Sequence, residues 1–374
     1  MIFSSLRTAA FRNLADEDVF IGAKDVFLVG ENGQGKTNFL EALYFCAYAS
    51  SFRTIRDAEI ARNGGKDFSA EVKIVSPGEI PPSEGSAVLI KFEKGKKSVH
   101  IDGKRAEDRK DLLSIAPCIV FCHEDMEFVS GSHERRRWFF DQVLSLYDPV
   151  YLDDLRCYRR VLKSRNTVLR DIAQRRYNSN QRTEGSDTVL DALDLQFAEY
   201  GGKLMEKRET AVLLFSGIFG PLYREVAGID GITVQYIQSW KDSGGAASLL
   251  RERRVADIAS GLSLSGPHRD RYVFARNGSE FAGKASTGQR RLLALLLRAA
   301  QARRFSQMTG KKPVLLLDDV LLEMDGEKRR RFLSVMPGYD QAFYTFLPEE
   351  PYKRYCKADT LVYKVDAGQL SVSK

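Results

Sequence analysis

The stretch from Asp25 to Tyr48 constrains the fold more than any other. A short apolar run, V-F-L-V, leads into G-E-N-G-Q-G-K-T at residues 30–37. Apolar residues then recur at helical spacing through Phe39, Leu40, Leu43 and Tyr44. This is G-x-x-x-x-G-K-[ST] in full, placed between a strand and a helix, the context that gives the motif its meaning. The glycines let backbone N–H groups converge on an anion, and the helix start adds the positive end of its dipole. Lys36 is positioned to reach the β- and γ-phosphates of ATP, and Thr37 to ligate Mg²⁺. The expected nucleotide-binding set is Gly30, Glu31, Asn32, Gly33, Gln34, Gly35, Lys36, Thr37 and Asn38.

Two later segments fit the same chemistry. Val314 to Leu317 is an apolar strand ending in two carboxylates. Asp318 would hold Mg²⁺ through water, and Asp319 is placed to take a proton from an attacking water as general base. Buried strands often end in an acidic residue, so this pattern gains force only from the loop in the same chain. Ala285-Ser286-Thr287-Gly288-Gln289 precedes an apolar helix at 292–300. A serine, small residues and free amides at a helix start form an anion site, although a plain N-cap explains the segment when it is taken singly.

The remaining sequence narrows the class. No run of eighteen apolar residues occurs, and the first ten residues lack a basic segment before an apolar one, so a membrane span or secretion is not expected and a cytoplasmic location is. Five scattered cysteines without C-x-x-C spacing read as ordinary thiols, and four histidines form no metal pattern. A net charge of +7 favours a polyanionic partner only mildly.

Strands are expected at Val72–Val75 and Val88–Phe92, parted by a Pro/Gly/Ser-rich loop at 76–86, with an edge hairpin around Val99–Ile101. From 104 to 225 the pattern is helical. One helix at 151–176 places Leu155, Leu162, Leu169 and Ile172 on one face. A polar stretch, Asn178 to Asp187, ends it. A second helix at 189–215 carries Leu190, Leu193, Leu195, Phe197, Leu204 and Met205. After residue 260 strands and helices return, with last strands at Phe343–Phe346 and Leu361–Val365. The expected division is 1–103, the first part of an α/β head, 104–255, a helical arm, and 256–374, the rest of the head. The two α/β pieces should close into one sheet, because the strand at 313–317 needs neighbours on both sides.

At this point the chain resembles the RecF family of ABC-type, SMC-like ATPases. The resemblance runs through Phe11-Arg12-Asn13, G-E-N-G-Q-G-K-T-N at 30–38, Leu40-Glu41-Ala42, Ser51-Phe52-Arg53-Thr54, E-D at 124–125, Gly131-Ser132, Glu134–Arg137 and Asp141. It continues through Arg165-Asn166, G-P-H-R-D at 266–270, S-T-G-Q-R-R at 286–291 and L-L-L-D-D-V at 315–320. Departures stand at His123, Arg271, Thr287, Arg290, Leu322-Glu323-Met324-Asp325 and Phe346. The resemblance implies an ABC-type P-loop ATPase head, a mixed sheet with helices, carrying an inserted helical arm. It implies a homodimer closed around ATP and Mg²⁺, in which Ser286, Gly288 and Gln289 contact the γ-phosphate held by the other copy. It further implies DNA binding at gaps and single-/double-strand junctions, work with RecR and RecO, and slow hydrolysis used as a switch. Glu323-Met324-Asp325 falls where the class has its D-loop.

Basic clusters occur at 135–137, 251–254 and 328–331. The helix at 156–176 carries eight basic residues against one acid, Asp171. Arg156, Arg159, Arg160 and Lys163 are therefore the candidate DNA contacts, set against the plainer reading of a solvated helix face. A transporter ATPase subunit would lack the long Arg-rich segment between loop and signature. An SMC-like structural ATPase would need far more coiled coil.

Overall fold

An apolar strand without polar residues must be covered on both sides, and Val314–Leu317 is. The computed structural model describes residues 1–76, 85–115, 117–179, 186–241, 245–321 and 324–373. In chain order these form β1 (Ile2–Ala9), β2 (Asp18–Phe20), β3 (Asp25–Val29), α1 (Lys36–Tyr48), β4 (Phe68–Val75), β5 (Ser86–Glu93), β6 (Lys96–Ile101), β7 (Lys104–Arg105), α2 (Arg109–Ile115) and β8 (Cys118–Phe121). Next come α3 (Glu127–Ser130), α4 (His133–Ser145), α5 (Pro149–Ser179), α6 (Ser186–Ala227), β9 (Ile232–Ile237), α7 (Ala246–Ser260), β10 (Arg271–Arg276) and β11 (Ser279–Glu280). The last are α8 (Thr287–Thr309), β12 (Val314–Leu317), α9 (Gly326–Ser334), β13 (Gln341–Phe346), β14 (Leu361–Asp366) and β15 (Gln369–Val372).

The chain divides into two units, Met1–Asp125 with Leu295–Lys374, and Met126–Ala294. In the first, a sheet of order β15-β14-β3-β13-β12-β8 is parallel from β14 to β8, and strands from both ends of the chain interleave in it. A second, antiparallel sheet runs β2-β1-β4-β5-β6-β7. Its period-2 alternation turns Phe68, Ala70, Val72 and Ile74 of β4, and Val88, Ile90 and Phe92 of β5, into the core. Helix α1 is apolar around most of its circumference and buries Phe39 to Ala47, as a helix packed on both sheets must. Gln341 joins the sheets: its Oε1 accepts from Phe3 N at 2.8 Å, and its Nε2 faces Phe3 O, Ile21 O and Ala23 O at 2.6–3.0 Å.

In the second unit α5 and α6 pair lengthwise. Leu155, Tyr158 and Val161 meet Phe197, Leu204 and Met205, while Leu169 and Ile172 meet Leu190. Leu195, expected on the buried face, is 57% exposed. It lies two residues from Leu193 and Phe197, about 200° around the helix, and so points away from them.

The segments 104–125 and 256–294 sit differently from the sequence-based division. Pro117 O accepts from Val314 N at 2.9 Å, and β8 pairs with β12, which places 118–121 in the head's sheet. Residues 271–280 pair with β9 in a three-stranded sheet of the second unit, order β11-β10-β9. The inserted unit is therefore helical with a small sheet of its own. Most of the loop at 76–86 and of the polar stretch after Asn178 lies outside the described residues. All five cysteines are free. Among the described residues no helix is long and apolar enough to cross a membrane.

Candidate active site

The loop after β3 is shaped by what surrounds it. Gly30 passes so close to β14 that a Cβ there would lie 2.3 Å from Val365 O, and Gly35 turns at φ 117°, where L side chains are strained. The loop is braced on two flanks. Asn13 Nδ2 donates to Gly33 O at 3.2 Å, and Asn38 Nδ2 donates to Asn13 Oδ1 at 2.7 Å. On the other flank the β14–β15 turn engages Gln34, with Ala367 N donating to its Oε1 at 2.6 Å and Gly368 N to its carbonyl at 2.8 Å. Lys36 is buried, and its ammonium donates to Gly30 O at 2.5 Å and Glu31 O at 3.2 Å. Neutral carbonyls hold an ammonium less strongly than phosphate oxygens do, so this cation is available to an anionic ligand.

Behind the loop, α1 is fixed by Glu41, which is fully buried. Arg12 grips it with two bonds, Nε to Oε2 at 3.0 Å and Nη2 to Oε1 at 2.9 Å. Arg53 adds a contact at 3.5 Å and donates to Asn38 Oδ1 at 2.7 Å.

The acidic strand end meets the loop directly. Thr37 Oγ1 donates to Asp318 Oδ1 at 3.0 Å, joining residues 281 positions apart. Burial, and then the neighbouring Asp319 charge, push the Asp318 carboxyl up to about 7. Thr345 Oγ1 lies 2.8 Å from Asp319 Oδ1 and 3.3 Å from Asp318 Oδ1, and accepts from Asp319 N at 2.7 Å. The two adjacent carboxyl groups are contacted by the Thr37 and Thr345 hydroxyls, and among the described residues neither has an ion pair. Asp318 and Thr37 together offer the sparse oxygen set that suits Mg²⁺, an ion that usually keeps its waters and its substrate phosphates.

In the second unit Ser286 and Gln289 form a reciprocal capping box at the start of α8: Ser286 Oγ accepts from Gln289 N at 3.3 Å, and Gln289 Oε1 accepts from Ser286 N at 2.8 Å. The N-cap role is thus real. Ser286 is exposed, and a side chain at Gly288 would meet nothing within 4 Å, so the helix start is open. Of the D-loop segment, Leu322 and Glu323 lie outside the described residues, Met324 is buried, and Asp325 caps α9 through Lys328 N at 2.9 Å.

A family model for the RecF/RecN/SMC N-terminal domain matches residues 2–362. The chain is 43% identical over 360 residues to the DNA replication and repair protein RecF of Treponema pallidum (strain Nichols), covering 96% of this chain and 97% of the relative. It is 31% identical over 378 residues to that of Shouchella clausii (strain KSM-K16), covering 98% of each. The chain belongs to the RecF family. Its fold superposes on a solved structure of the recombination mediator protein RecF with ATP in the RecFOR pathway, at TM-score 0.87 and 24% identity over 100% of this chain and 97% of that one. A crystal structure of an Smc head bound to the C-terminal winged-helix domain of ScpA matches at TM-score 0.54 and 15% identity over 99% of this chain and 96% of that one. The fold is that of a RecF or SMC ATPase head, a mixed α/β architecture that includes a long helix.

The basic residues of this RecF-family chain divide into buried and exposed sets. Arg165, counted from sequence with the basic face of its helix, is fully buried and bonds Asp194 Oδ1 at 2.6 Å, Asp257 Oδ2 at 2.8 Å and Ser263 Oγ at 2.8 Å. Arg136 and Arg137 donate to the carbonyls of Val129 and Asp270 at 2.9 and 2.7 Å, and Arg254 pairs with Asp191 and Asp194. Lys328 and Arg331 pair with Asp325 and Glu327 on their own helix turns. Arg156 lies 3.7 Å from Asp153, and Arg159 lies 3.3 Å from Asp141. Arg160 and Lys163 are exposed, with no ion pair among the described residues. Neither Asn13 nor Thr345 has a role that the sequence alone shows, although Asn13 falls within a stretch that resembles the family. Spacing gave no signal that Asn13 supports the loop.

Proposed function

We propose that the chain is an ATP-dependent DNA-binding protein of recombinational repair, in which ATP and Mg²⁺ close two copies on each other and slow, DNA-stimulated hydrolysis releases them. The observation that carries this reading is the Thr37–Asp318 hydrogen bond at 3.0 Å, which joins the phosphate loop to the acidic strand with Asp319 beside it. Lys36 and the loop amides hold the β- and γ-phosphates. Thr37 and Asp318 would hold the metal, which would neutralise phosphate charge. Asp319 accepts the proton of the attacking water. Ser286, Gly288 and Gln289 of one copy meet the γ-phosphate held by the other, a contact compatible with the capping box because the cap leaves the helix-start dipole exposed.

The names of the relatives support DNA replication and repair as the setting. The finer reading covers gapped DNA and single-/double-strand junctions, partnership with RecR and RecO, help in recombinase loading, and a cytoplasmic site of action. Arg156, Arg159, Arg160 and Lys163 are the proposed phosphate contacts on α5, with Arg160 and Lys163 foremost because they have no ion pair among the described residues.

Light scattering on the full chain tests the switch. ATP with Mg²⁺ should give a dimer and ADP a monomer. Ser286→Arg should stay monomeric while still binding ATP, and Asp319→Asn should trap the dimer. Normal dimerisation of Ser286→Arg would leave the segment as a helix cap alone.

A further inference from the structure

Asp319 adopts a backbone conformation that needs an explanation. Its φ is 52°, the left-handed region, which an L residue other than glycine keeps only when its surroundings fix it there. The fixing group is Thr345. β12 and β13 run parallel with Leu317 opposite Tyr344, so Thr345 lies one residue past the ladder, beside the two aspartates. It is 4% exposed. Its Oγ1 accepts from the Asp319 amide at 2.7 Å and lies 2.8 Å from Asp319 Oδ1, against 3.3 Å to Asp318 Oδ1. A hydroxyl has one proton to give, and the shorter distance assigns it to Asp319. One side chain therefore holds both the backbone and the carboxylate of the same residue, which fixes its φ and its side-chain orientation together.

We propose that Thr345 is a positioning residue for hydrolysis, presetting the Asp319 carboxylate to receive the proton of the attacking water. The inference rests on the reading of Asp319 as general base. In that step the water oxygen bonds to the γ-phosphorus and the bridging P–O bond breaks, its electron pair leaving on ADP. The water proton passes to Asp319. A carboxylate on a left-handed turn with no second tether would sample other orientations, and a displacement near 1 Å at a reacting group costs about 10²-fold in rate. A role confined to holding the strands together would need only the amide bond, which leaves the carboxylate contact unaccounted for.

The test compares single-turnover ATP hydrolysis with nucleotide affinity in the full-length protein. Thr345→Val keeps the shape and removes the hydroxyl. The expected result is a fall in kcat of about 10²-fold with KM and ATP affinity unchanged. Thr345→Ser should recover most of the rate. In an Asp319→Asn background Thr345→Val should cost nothing further, because both changes remove one function. Thr345→Ala carries the same comparison should the valine variant fold poorly. Hydrolysis at the parental rate in Thr345→Val and Thr345→Ala, with Asp319→Asn inactive, overturns this inference and leaves the base assignment standing. Loss of ATP affinity in step with rate, or a serine variant as slow as alanine, also overturns it. Parental hydrolysis by Asp319→Asn removes the base assignment and this inference with it.

Discussion

The two units bury charge in opposite ways. In Met126–Ala294 every deeply buried arginine has met its acids. Arg165 sits between Asp194 and Asp257, and Arg208 bonds Asp141 at 2.7 Å and Asp270 at 3.1 Å. Tyr151, Tyr236 and the Ser239 amide take up remaining lone pairs of those two aspartates. In the head, Asp318 and Asp319 lie side by side on the Thr37 and Thr345 hydroxyls, and Lys36 rests on neutral carbonyls. Away from that site the head follows the first pattern, as Arg298 with Asp125 at 2.7 Å shows. The contrast teaches where to look for function. Paired buried charge is architecture, whereas buried charge without a counter-ion marks where a ligand's charge belongs.

The comparison breaks most visibly if the arm's pairs are dispensable. Arg165→Ala leaves buried Asp257 without its ion pair and Asp194 with Arg254 alone, and should cost the second unit about 3–5 kcal/mol, read by urea unfolding. A loss below about 1 kcal/mol would place those acids in contact with water.

A smaller effect belongs to His268. Its Nδ1 faces Tyr158 OH at 2.8 Å and its Nε2 faces Ser263 O at 3.0 Å. Burial, then the nearby Arg269, Arg137 and Arg165 charges, press its pKa from 6.5 down to about 4. The unfolded chain therefore binds a proton that the fold excludes. Stability is full above pH 6.5 and falls as the pH drops toward 4, by up to about 3 kcal/mol. His268→Asn should remove that slope from the pH dependence of unfolding.

The same kind of change should have the reverse sign in the head. Asp318→Asn removes a buried charge that has hydroxyl partners but no ion pair among the described residues, and should stabilise the ligand-free protein by about 1–2 kcal/mol near pH 8. Smallest in stability is the exposed pair on α5. Arg160→Ala with Lys163→Ala should move unfolding by no more than about 0.5 kcal/mol. It should flatten the log–log salt dependence of DNA binding by about one unit per lost phosphate contact. An unchanged slope would move the DNA contacts off this helix.

How much of this was legible depended on whether the signal was local. The strand, loop and helix at 25–48 and the strand at 314–317 stand where the residues placed them, because glycine spacing and uninterrupted apolar runs are local properties. Strand β9, with Ile232 and Val234 turned inward, carries period-2 alternation over only six residues, a weak signal inside a region whose surroundings read as helical. Arg165 looked like its solvated neighbours because burial by Asp194 and Asp257 depends on residues 29 and 92 positions away. Thr345 and Asn13 gave no signal because their partners, Asp319 and Gly33, are brought to them only by the sheet and the loop.

Among the described residues Asp318 has no counter-charge, and Mg²⁺ bound with ATP would supply one. Calorimetric titration of ATP into the parent and into Asp318→Asn, each with and without Mg²⁺, tests it directly. The predicted result is that Mg²⁺ tightens ATP binding to the parent by tenfold or more, about 1.4 kcal/mol, and leaves the variant's affinity unchanged. An equal Mg²⁺ dependence in both proteins would contradict the account.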